Sequence, residues 1–473
     1  MKPSARTLIL VSAAASVAIA SLTAFGEAGS TSFLPNLYPF SNSSGQLQTF
    51  NVSGALDMNN PFFQSLGTNG RSCASCHLPD QGWSIAASKV QERFDTSSGH
   101  DPIFRTNDGS NCNVEIDTST LEGRQDAYSL LRSRGLIRVA IDVPDSAEFT
   151  VVSVRNPYGC NDRSTLSMYR RPLPSANLRA LSTLMWDGRE STSPSTHPIT
   201  FATNPGDLLL DLQHQSVSAT LGHAQADEAP TPAQQRDIVD FEMGLSTAQT
   251  MNNEAGDLGT LGATGGPVSL SQQQFYVGIN DSLGGNPTGA AFTPAVFSLF
   301  GRWSDLRDSA PGAAAKRAVA RGEALFNSRT LTITGVGGLN DDLNAARITG
   351  TCGTCHDSPN FGNHSLPVPL NIGVSDVDGL LDLSYLPVIT LRNKTTHRTL
   401  KTTDPGRALI TGKWKDIGKL KGPILRGLAS RAPFFHNGSA ATLADVIEFY
   451  NTRFNMGLTP QEESDFVAFL QSL

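Results

Sequence analysis

The chain has 473 residues, 17 % of them charged, and a formal net charge of −7. This weakly acidic balance, with no basic stripe in the sequence, argues against a nucleic-acid-binding protein. The length allows two or three domains with buried cores, and the six cysteines and nine histidines are few enough that their spacing is informative.

The N-terminus has the pattern of an export signal. Lys2 and Arg6 form a short positive region, an apolar stretch follows over residues 8–22, and small residues after it offer cleavage points. This pattern predicts a signal peptide over residues 1–28 and a periplasmic protein with no stable membrane span after cleavage. An uncleaved anchor is the alternative.

Two segments share the pattern C-x-x-C-H: Cys73-Ala74-Ser75-Cys76-His77 and Cys352-Gly353-Thr354-Cys355-His356. With this spacing the two thiols add to the vinyl groups of a c-type haem, and the histidine beside them becomes a ligand of the iron. Chance does not readily produce two copies from so few cysteines. The sequence therefore predicts two covalently bound haems, attached at Cys73, Cys76, Cys352 and Cys355, with His77 and His356 as iron ligands.

Cys112 and Cys160 remain once the haem cysteines are assigned. In an oxidising compartment two leftover cysteines most often pair, although two free thiols are the alternative. We predict a structural disulfide between them, which would stabilise the irregular segment around it by roughly 3–4 kcal/mol.

The first predicted domain covers residues 50–250 and contains the first C-x-x-C-H. Near its end, Thr231-Pro232 has the pattern of a capped helix start, and apolar residues then follow at helical spacing on one face. Residues 251–312 are rich in Gly, Asn, Ser and Pro and have little helical periodicity. This composition predicts a long connection between two domains.

The second predicted domain covers residues 313–473. It opens with an alanine-rich helix, Ala313–Asn327, in which Gly322 allows a close helix crossing, and it closes with a helix begun by the capping box Thr459-Pro460-Gln461-Glu462. A terminal helix pair around one C-x-x-C-H is the layout of a small cytochrome c domain. We therefore expect a mainly α-helical chain, with two cytochrome c-like haem domains, long loops and a glycine-rich connection.

Three further elements occur in order around these motifs: L-G-T-N-G-R-S at residues 66–72, M-W-D-G-R at residues 185–189 and R-A-P-F-F-H-N-G at residues 431–438. With them, the chain resembles the dihaem cytochrome c peroxidase and MauG superfamily and, more distantly, the dihaem rubber oxygenases. The resemblance implies a peroxide-dependent oxidoreductase in which electrons pass from the C-terminal haem to the N-terminal, peroxidatic haem.

Site residues can be carried over from this resemblance. Trp186 matches the tryptophan that lies between the two haems and relays electrons, although a core tryptophan beside haem would look the same. On the distal side of the first haem, Gln215 matches the family's glutamine. The family's glutamate falls on Gln225, which cannot exchange a proton, so we assign that role to the nearby His223.

The resemblance leaves the sixth iron ligand open at both haems. At the first, Arg93 occupies the position of the distal histidine of bacterial peroxidases, so this face is either open to the oxidant or covered by His100. At the second, on a helix begun by Thr442, Tyr450 falls where peroxidases have an axial methionine and MauG an axial tyrosine. Met456 is the alternative ligand, and a buried core tyrosine is the alternative role.

Family members also bind calcium between their domains, through an asparagine and two backbone carbonyls. The carbonyl positions correspond to Arg431 and Pro433, but the asparagine position falls near Arg171. The cationic pair Arg170-Arg171 is a poor oxygen-donor site and can replace the charge of the ion, so we do not rely on calcium as a cofactor.

Three functions fit these patterns. The first is an enzyme that uses hydrogen peroxide and is reduced by a small electron-donor protein, such as a monohaem cytochrome c or a copper protein. The second is a MauG-like or rubber-oxygenase-like enzyme that uses dioxygen, and the third is a plain dihaem electron carrier. The missing distal histidine and the order of the family motifs favour the peroxide-using enzyme.

Overall fold

A computed structural model describes residues 32–114, 116–191 and 205–473. The predicted signal peptide, residues 1–28, lies outside this part of the chain. Within the described part, no helix is both long and apolar enough to cross a bilayer. Helices account for 29 % of the residues and strands for 17 %. The expected mainly α-helical fold is therefore only partly right, because β-branched and aromatic segments pair into small sheets.

Three of the helices begin where threonine capping residues predict them to begin. Thr231, Thr442 and Thr459 each accept the N–H of the residue three positions on, and the side chain at that position accepts the threonine N–H in return. The described residues form ten α-helices. They are α1 (Ala87–Ser97), α2 (Leu121–Ala127), α3 (Ser129–Arg134), α4 (Pro205–Gly222), α5 (Pro232–Gly244), α6 (Pro267–Ser271), α7 (Ala313–Ser328), α8 (Ala408–Thr411), α9 (Leu443–Arg453) and α10 (Pro460–Leu470).

The strands of the described residues form five antiparallel sheets. They are β1 (Phe33–Pro35), β2 (Phe40–Asn42), β3 (Gly45–Asn51), β4 (Ala55–Asp57), β5 (Ile137–Asp142), β6 (Phe149–Arg155), β7 (Thr165–Arg170), β8 (Leu245–Asn252), β9 (Gly256–Asp257), β10 (Leu331–Ile333), β11 (Ile348–Gly350), β12 (Val388–Asn393) and β13 (Thr399–Thr402). The strand orders are β1-β4, β2-β3-β8-β9, β5-β7, β6-β12-β13 and β10-β11.

One of these sheets joins the two predicted haem domains. Strand β6 comes from the first and pairs with β12 from the second, so that Val154 is opposite Ile389 and Thr150 is opposite Arg392. Beneath this sheet, Ile389, Leu391 and Phe149 are completely buried in one hydrophobic cluster. The shared strands hold the two parts of the chain in a fixed relation.

In the C-terminal part, α7 and α10 cross closely at Gly322, as predicted. A Cβ atom at this position would collide with the carbonyl oxygen of Asp465 in α10, so only glycine permits the contact. On the same helix, Arg321 forms an ion pair with Asp465 at 2.6 Å. The crossing therefore combines close backbone approach with an ion pair at its edge.

Part of the predicted connection is an integral layer of this C-terminal core. The ring of Phe297 lies 4.9 Å from that of Phe326 and 5.3 Å from that of Phe469, measured between centroids. Glu323 of α7 accepts the backbone N–H of Phe300 at 2.8 Å. Composition did not indicate this packing, because the aromatic residues stand isolated among small and polar ones.

The predicted disulfide is confirmed. Cys112 and Cys160 are bonded, and their Cα atoms lie 5.6 Å apart. The bond ties the loop between α1 and α2 to the turn between β6 and β7. It thereby closes a loop across an otherwise irregular part of the first predicted domain.

Candidate functional site

Both C-x-x-C-H segments fold into the same single helical turn. His77 donates its backbone N–H to the carbonyl of Cys73 at 3.0 Å, and His356 donates to Cys352 at 3.0 Å. The hydroxyls of Ser75 and Thr354 each accept the N–H of the residue three positions earlier, at 3.0 Å. This turn brings two thiols and one imidazole to the same wall of a cavity.

The imidazole rings of the two motifs are held in one orientation. Nδ1 of His77 lies 3.0 Å from the carbonyl oxygen of Trp83, and Nδ1 of His356 lies 2.6 Å from that of Gly362. A backbone carbonyl at Nδ1 fixes the tautomer with its proton there and leaves Nε2 as the basic atom. Histidines that bind a metal through Nε2 are typically held in this way.

The first cavity, of about 1560 Å³ with its open mouth, is bordered by Cys73, Cys76 and His77. Much of the remaining wall is apolar. It includes Leu66, Val139, Leu178, Leu181, Leu212 and Ile424. A large apolar space with two thiols and an oriented imidazole on one wall fits a covalently attached haem.

The second cavity, of about 1660 Å³, is bordered by Cys352, Cys355 and His356 in the same arrangement. Burial raises the pKa of both of these thiols to about 12, as expected for a dry apolar wall. Tyr450 and Met456 also border this cavity, so both candidate ligands are at the site. Burial, followed by the charge of the two cysteines, raises the pKa of the Tyr450 hydroxyl.

Three of the predicted site residues, Trp186, Gln215 and His223, border the first cavity. Two alternatives do not: His100 is exposed, and Gln225 points its amide oxygen at Asn69. His100, the candidate cover for this site, therefore does not border the first cavity.

The element L-G-T-N-G-R-S holds His223 in place. Asn69 donates its amide to the carbonyl of His223 at 2.8 Å, and Thr68 donates its hydroxyl to the carbonyl of Gln225 at 2.7 Å. A Cβ atom at Gly67 would collide with the backbone of Ala224, so glycine is required for this approach. The segment that leads into the first C-x-x-C-H thus clamps the loop that follows α4.

Sequence reasoning missed Asp108 and its part in this site. Its Oδ2 lies 2.5 Å from Nδ1 of His223, and its Oδ1 forms an ion pair with the buried Arg71. Burial raises the pKa of Asp108, but the hydrogen bonds and charges of His223 and Arg71 outweigh it and lower the pKa below its usual value. No spacing in the sequence links these three residues, which only the fold brings together.

Glu242 is a second residue that sequence reasoning missed. It lies in α5, borders the first cavity, and has one carboxyl oxygen with no hydrogen-bond partner. Burial alone raises its pKa to about 8. The sequence does contain a signal for this burial. Glu242 follows Ile238 by four residues, so it lies on the apolar face of the helix, where a glutamate side chain is expected to be buried.

Trp186, Arg171 and Lys421 border both cavities. The indole N–H of Trp186 donates to the carbonyl of Arg171 at 2.7 Å, and its own carbonyl accepts the N–H of Lys421 at 2.8 Å. Lys421 donates its ammonium to the carbonyl of Thr183 at 2.9 Å, and burial lowers its pKa to about 7. These side chains form the wall that the two cavities share.

Arg171 also lies at the position that the resemblance assigns to calcium. Its guanidinium donates to the carbonyl of Arg431 at 2.8 Å and to that of Arg134 at 2.6 Å. One of the two backbone carbonyls expected to bind an ion thus accepts a hydrogen bond from an arginine.

The neighbouring Arg170 is the centre of a buried ion-pair network. It pairs with Asp187 at 2.5 Å and with Asp404 at 2.7 Å, and Asp187 also pairs with Arg189 at 3.2 Å. Burial raises the pKa of Asp187, but the two arginines more than reverse this and lower it to about 2. The Arg170 guanidinium therefore binds two carboxylates, that of Asp187 in M-W-D-G-R and that of Asp404 in the second predicted domain.

Part of the chain is similar to curated cytochrome-c peroxidases. Cytochrome-c peroxidase IdrP1 of Denitromonas iodatirespirans is 30 % identical over 142 residues, and IdrP2 of the same organism is 33 % identical over 135 residues. Cytochrome c551 peroxidase of Pseudomonas aeruginosa is 28 % identical over 123 residues. Each match covers 26 % of this chain. It covers 36 % of IdrP1, 36 % of IdrP2 and 30 % of cytochrome c551 peroxidase. The chain therefore spans about a third of the length of the curated relatives it matches.

Whole-fold comparisons give weaker similarities. A MauG-like protein associated with microbial copper homeostasis has a TM-score of 0.39 at 16 % identity over 88 % of this chain and 86 % of its own. Hydrazine synthase of Kuenenia stuttgartiensis has a TM-score of 0.33 at 14 % identity over 82 % of this chain and 93 % of its own. No family model matches the chain. The peroxidase relatives and the two C-x-x-C-H turns together support the resemblance of the chain to the dihaem cytochrome c peroxidase and MauG superfamily.

Proposed function

We propose that the chain is a periplasmic c-type dihaem oxidoreductase that uses hydrogen peroxide, with the first cavity as the reactive site and the second as the electron-accepting site. Each cavity would hold one covalently bound haem through the cysteines and histidine of its motif. A bound haem supplies a redox-active iron that can bind the oxidant on its distal face. The side chains of the protein then determine how protons and electrons reach that face.

At the first cavity we assign proton transfer to His223. Because Asp108 accepts a proton-bearing Nδ1 at 2.5 Å, Nε2 is the basic atom of the neutral ring. Such an atom can take a proton from one oxygen of hydrogen peroxide and deliver it to the other, which becomes water. The His223 side chain is 43 % exposed, which places a polar group where the cavity opens to solvent.

Gln215 is assigned a positioning role at the same site. It lies in α4, about two turns before the loop that carries His223, and it borders the first cavity. Its neutral amide can hydrogen-bond to the oxidant but cannot exchange a proton at ordinary pH. Proton transfer by His223 and orientation by Gln215 would together replace the glutamine and glutamate of the family.

Electrons would pass between the sites through Trp186. Its ring belongs to the wall shared by the two cavities, and both its indole N–H and its backbone carbonyl are hydrogen-bonded. These bonds hold the ring in one position between the two sites. An aromatic ring in that place divides one long transfer into two shorter ones.

The second cavity is proposed to accept electrons because its wall contains two candidates for a sixth iron ligand. Tyr450 and Met456 both border it, whereas the first cavity is bordered by His223 and Gln215, which we assign to the oxidant. A site with two strong axial ligands transfers electrons without binding an oxidant. The donor would be a small periplasmic protein, a monohaem cytochrome c or a copper protein.

The observation that carries this proposal is the hydrogen-bonded Asp108–His223 couple in the wall of the first cavity. The test is absorption and electron paramagnetic resonance spectroscopy of the purified protein, with haem content, before and after hydrogen peroxide. We expect two haems, one of them high-spin, and a spectral change at the high-spin haem followed by oxidation of a reduced monohaem cytochrome c. Two low-spin haems that peroxide leaves unchanged would instead identify an electron carrier.

A dioxygen-using enzyme is the second candidate, and Gln225 favours it. The family's proton-transferring glutamate is replaced there by an amide that faces Asn69 and does not border the cavity. If the reduced protein consumes dioxygen while hydrogen peroxide gives no turnover, this second function is the correct one.

A further inference from the structure

Apart from the residues assigned to the two candidate sites above, one group of buried side chains has the composition of a metal site. Asp281, Asp357 and His364 bring one ligand atom each to within 4.8 Å of one another. Nδ1 of His364 lies 2.6 Å from Oδ2 of Asp357. Asp281 belongs to the predicted connection, and the other two belong to the loop after the second C-x-x-C-H.

The ligand atoms of this group are buried and lack hydrogen bonds. The residues are 1 %, 0 % and 7 % exposed. Oδ1 of Asp281, Oδ2 of Asp357 and Nδ1 of His364 have no hydrogen-bond partner, and the short contact between the last two does not have hydrogen-bond geometry. Buried polar atoms without partners are rare in folded proteins because each one costs its lost hydration.

Each carboxylate is anchored through its other oxygen. Oδ2 of Asp281 accepts the N–H of Gly285 at 2.5 Å, and Oδ1 of Asp357 accepts the N–H of Ser365 at 2.6 Å. The backbone thus fixes both carboxylates and directs the remaining oxygen of each toward the same point. This is how ligands of a metal are oriented by their surroundings.

The charges of the group are also unbalanced. Two buried carboxylates face one imidazole, and within the described residues no lysine or arginine forms an ion pair with Asp281 or Asp357. The nearby Lys421 donates to the carbonyl of Thr183 instead. A dication would both neutralise the carboxylates and occupy the unpartnered atoms.

We propose that Asp281, Asp357 and His364 bind a divalent transition-metal ion of the zinc class. An imidazole nitrogen with two carboxylate oxygens suits Zn²⁺, whereas Ca²⁺ prefers six to eight oxygen atoms. Zn²⁺ usually takes four ligands. The buried hydroxyls of Ser358 and Ser365, which flank two of the ligands in sequence and have no hydrogen-bond partner, are candidates for the fourth.

The site is separate from the calcium position implied by the resemblance, which involves Arg171 and Arg431. A metal ion bound here would join the predicted connection to the loop that follows the second C-x-x-C-H. A hydrogen bond already links the same two segments, because the side-chain amide of Asn280 donates to the carbonyl of Asp357 at 3.1 Å. Asp357 directly follows His356, and His364 also borders the second cavity. A dication here disfavours the oxidised state of a nearby iron, so its removal should lower the midpoint potential of the second haem.

The test uses the full holoprotein with its two haems, loaded with Zn²⁺, desalted, and analysed for zinc and iron. We expect one zinc for every two irons in the wild type, a loss of that zinc in Asp281→Asn and His364→Gln, and its retention in the matched exposed controls Asp378→Asn and His397→Gln. Zinc that is absent from the wild type, or that both site variants retain, would overturn the proposal.

A second measurement does not depend on the variants folding. The wild-type holoprotein is stripped with a chelator and titrated with Zn²⁺ by calorimetry, with and without excess Ca²⁺, and the potentials of both haems are recorded at each stage. We expect one site that Ca²⁺ does not block and a reversible fall in only the second potential upon zinc removal. Displacement by Ca²⁺ would refute the zinc class, and unchanged potentials would refute the coupling to the haem.

Discussion

The carboxylate of Asp108 contacts His223 with one oxygen and Arg71 with the other. Oδ2 lies 2.5 Å from Nδ1 of His223, so the carboxylate fixes the tautomer of a histidine that borders the first cavity. Arg71, two residues before the first haem cysteine, fixes the carboxylate in turn. The first C-x-x-C-H segment and the proposed proton-transfer group are thus connected through Asp108, which forms an ion pair with Arg71 and a hydrogen bond with His223.

Loss of the His223 imidazole or of the Asp108 carboxylate should impair peroxide turnover without loss of haem. We expect His223→Gln to lower kcat/KM for peroxide by about 10²- to 10⁴-fold, the usual contribution of a general acid–base group. Asp108→Asn, which leaves the ring but not its orientation, should cost about 10- to 100-fold. Steady-state oxidation of a reduced monohaem cytochrome c measures both.

His214→Gln is the matched control for this pair. Nδ1 of His214 lies 2.6 Å from Glu190, a similar histidine–carboxylate pair, but His214 is 57 % exposed at its side chain and does not border the first cavity. Its activity should equal that of the wild type. Equal losses in His214→Gln and His223→Gln would mean that the effect arises from the stability of this region and not from proton transfer.

Replacement of Trp186 by phenylalanine should slow electron transfer between the sites while leaving each site intact. The smaller ring loses the hydrogen bond to the carbonyl of Arg171 and part of the wall shared by the cavities. Stopped-flow absorption should show a normal reaction of the first haem with peroxide and delayed oxidation of the second. Trp303→Phe, a fully buried tryptophan outside both cavities, should leave both phases unchanged.

Tyr450→Phe and Met456→Leu together identify the sixth ligand at the second haem. Both side chains border that cavity, so only the true ligand should alter the spectrum when it is removed. Tyrosinate stabilises the oxidised iron and methionine the reduced iron, so loss of Tyr450 should raise the potential and loss of Met456 should lower it. An unchanged low-spin spectrum in both variants would exclude both residues as ligands.

Removal of the disulfide should destabilise the first predicted domain without altering the haem spectra. With a sequence separation of 48 between the two cysteines, the loop-closure entropy removed from the unfolded chain corresponds to about 4 kcal/mol. The double variant Cys112→Ala/Cys160→Ala should lower the free energy of unfolding by about that amount in urea titration. The single variants are poor controls, since each leaves a reactive thiol.

Local sequence signals predicted the helices well. Threonine caps at residues 231, 442 and 459 gave the correct starts of α5, α9 and α10, because a cap satisfies backbone N–H groups within four residues and needs no tertiary contact. The C-x-x-C-H turns were equally predictable. The haem-binding role proposed for them rests on residues that are neighbours in the chain.

Long-range contacts could not be predicted in the same way. The pairing of β6 with β12 joins residues more than two hundred positions apart, and neither strand has a signal that names its partner. Asp108 was missed for the same reason, since its ion pairs with Arg71 and His223 exist only in the folded chain. His100, by contrast, is near the first motif in sequence but remains exposed and outside the cavity.

The pH dependence of stability should report the burial of Glu242. Its ordinary pKa is 4.5, and burial raises it to about 8 in the folded chain. Between these values the folded chain keeps a proton that the unfolded chain has released. The stability contributed by this proton is complete below pH 4.5 and is lost as the pH rises through 8.

Between pH 4.5 and about 8, unfolding releases this one proton. The free energy of unfolding should therefore fall by about 1.4 kcal/mol for each unit by which the pH is raised. Glu242→Gln has no proton to lose, so its unfolding free energy should be flatter than that of the wild type over the same range. Urea titrations at several pH values inside the window measure both slopes. The exposed Glu228→Gln should keep the wild-type slope, and a wild-type slope in Glu242→Gln would show that the Glu242 carboxyl is not the buried acid.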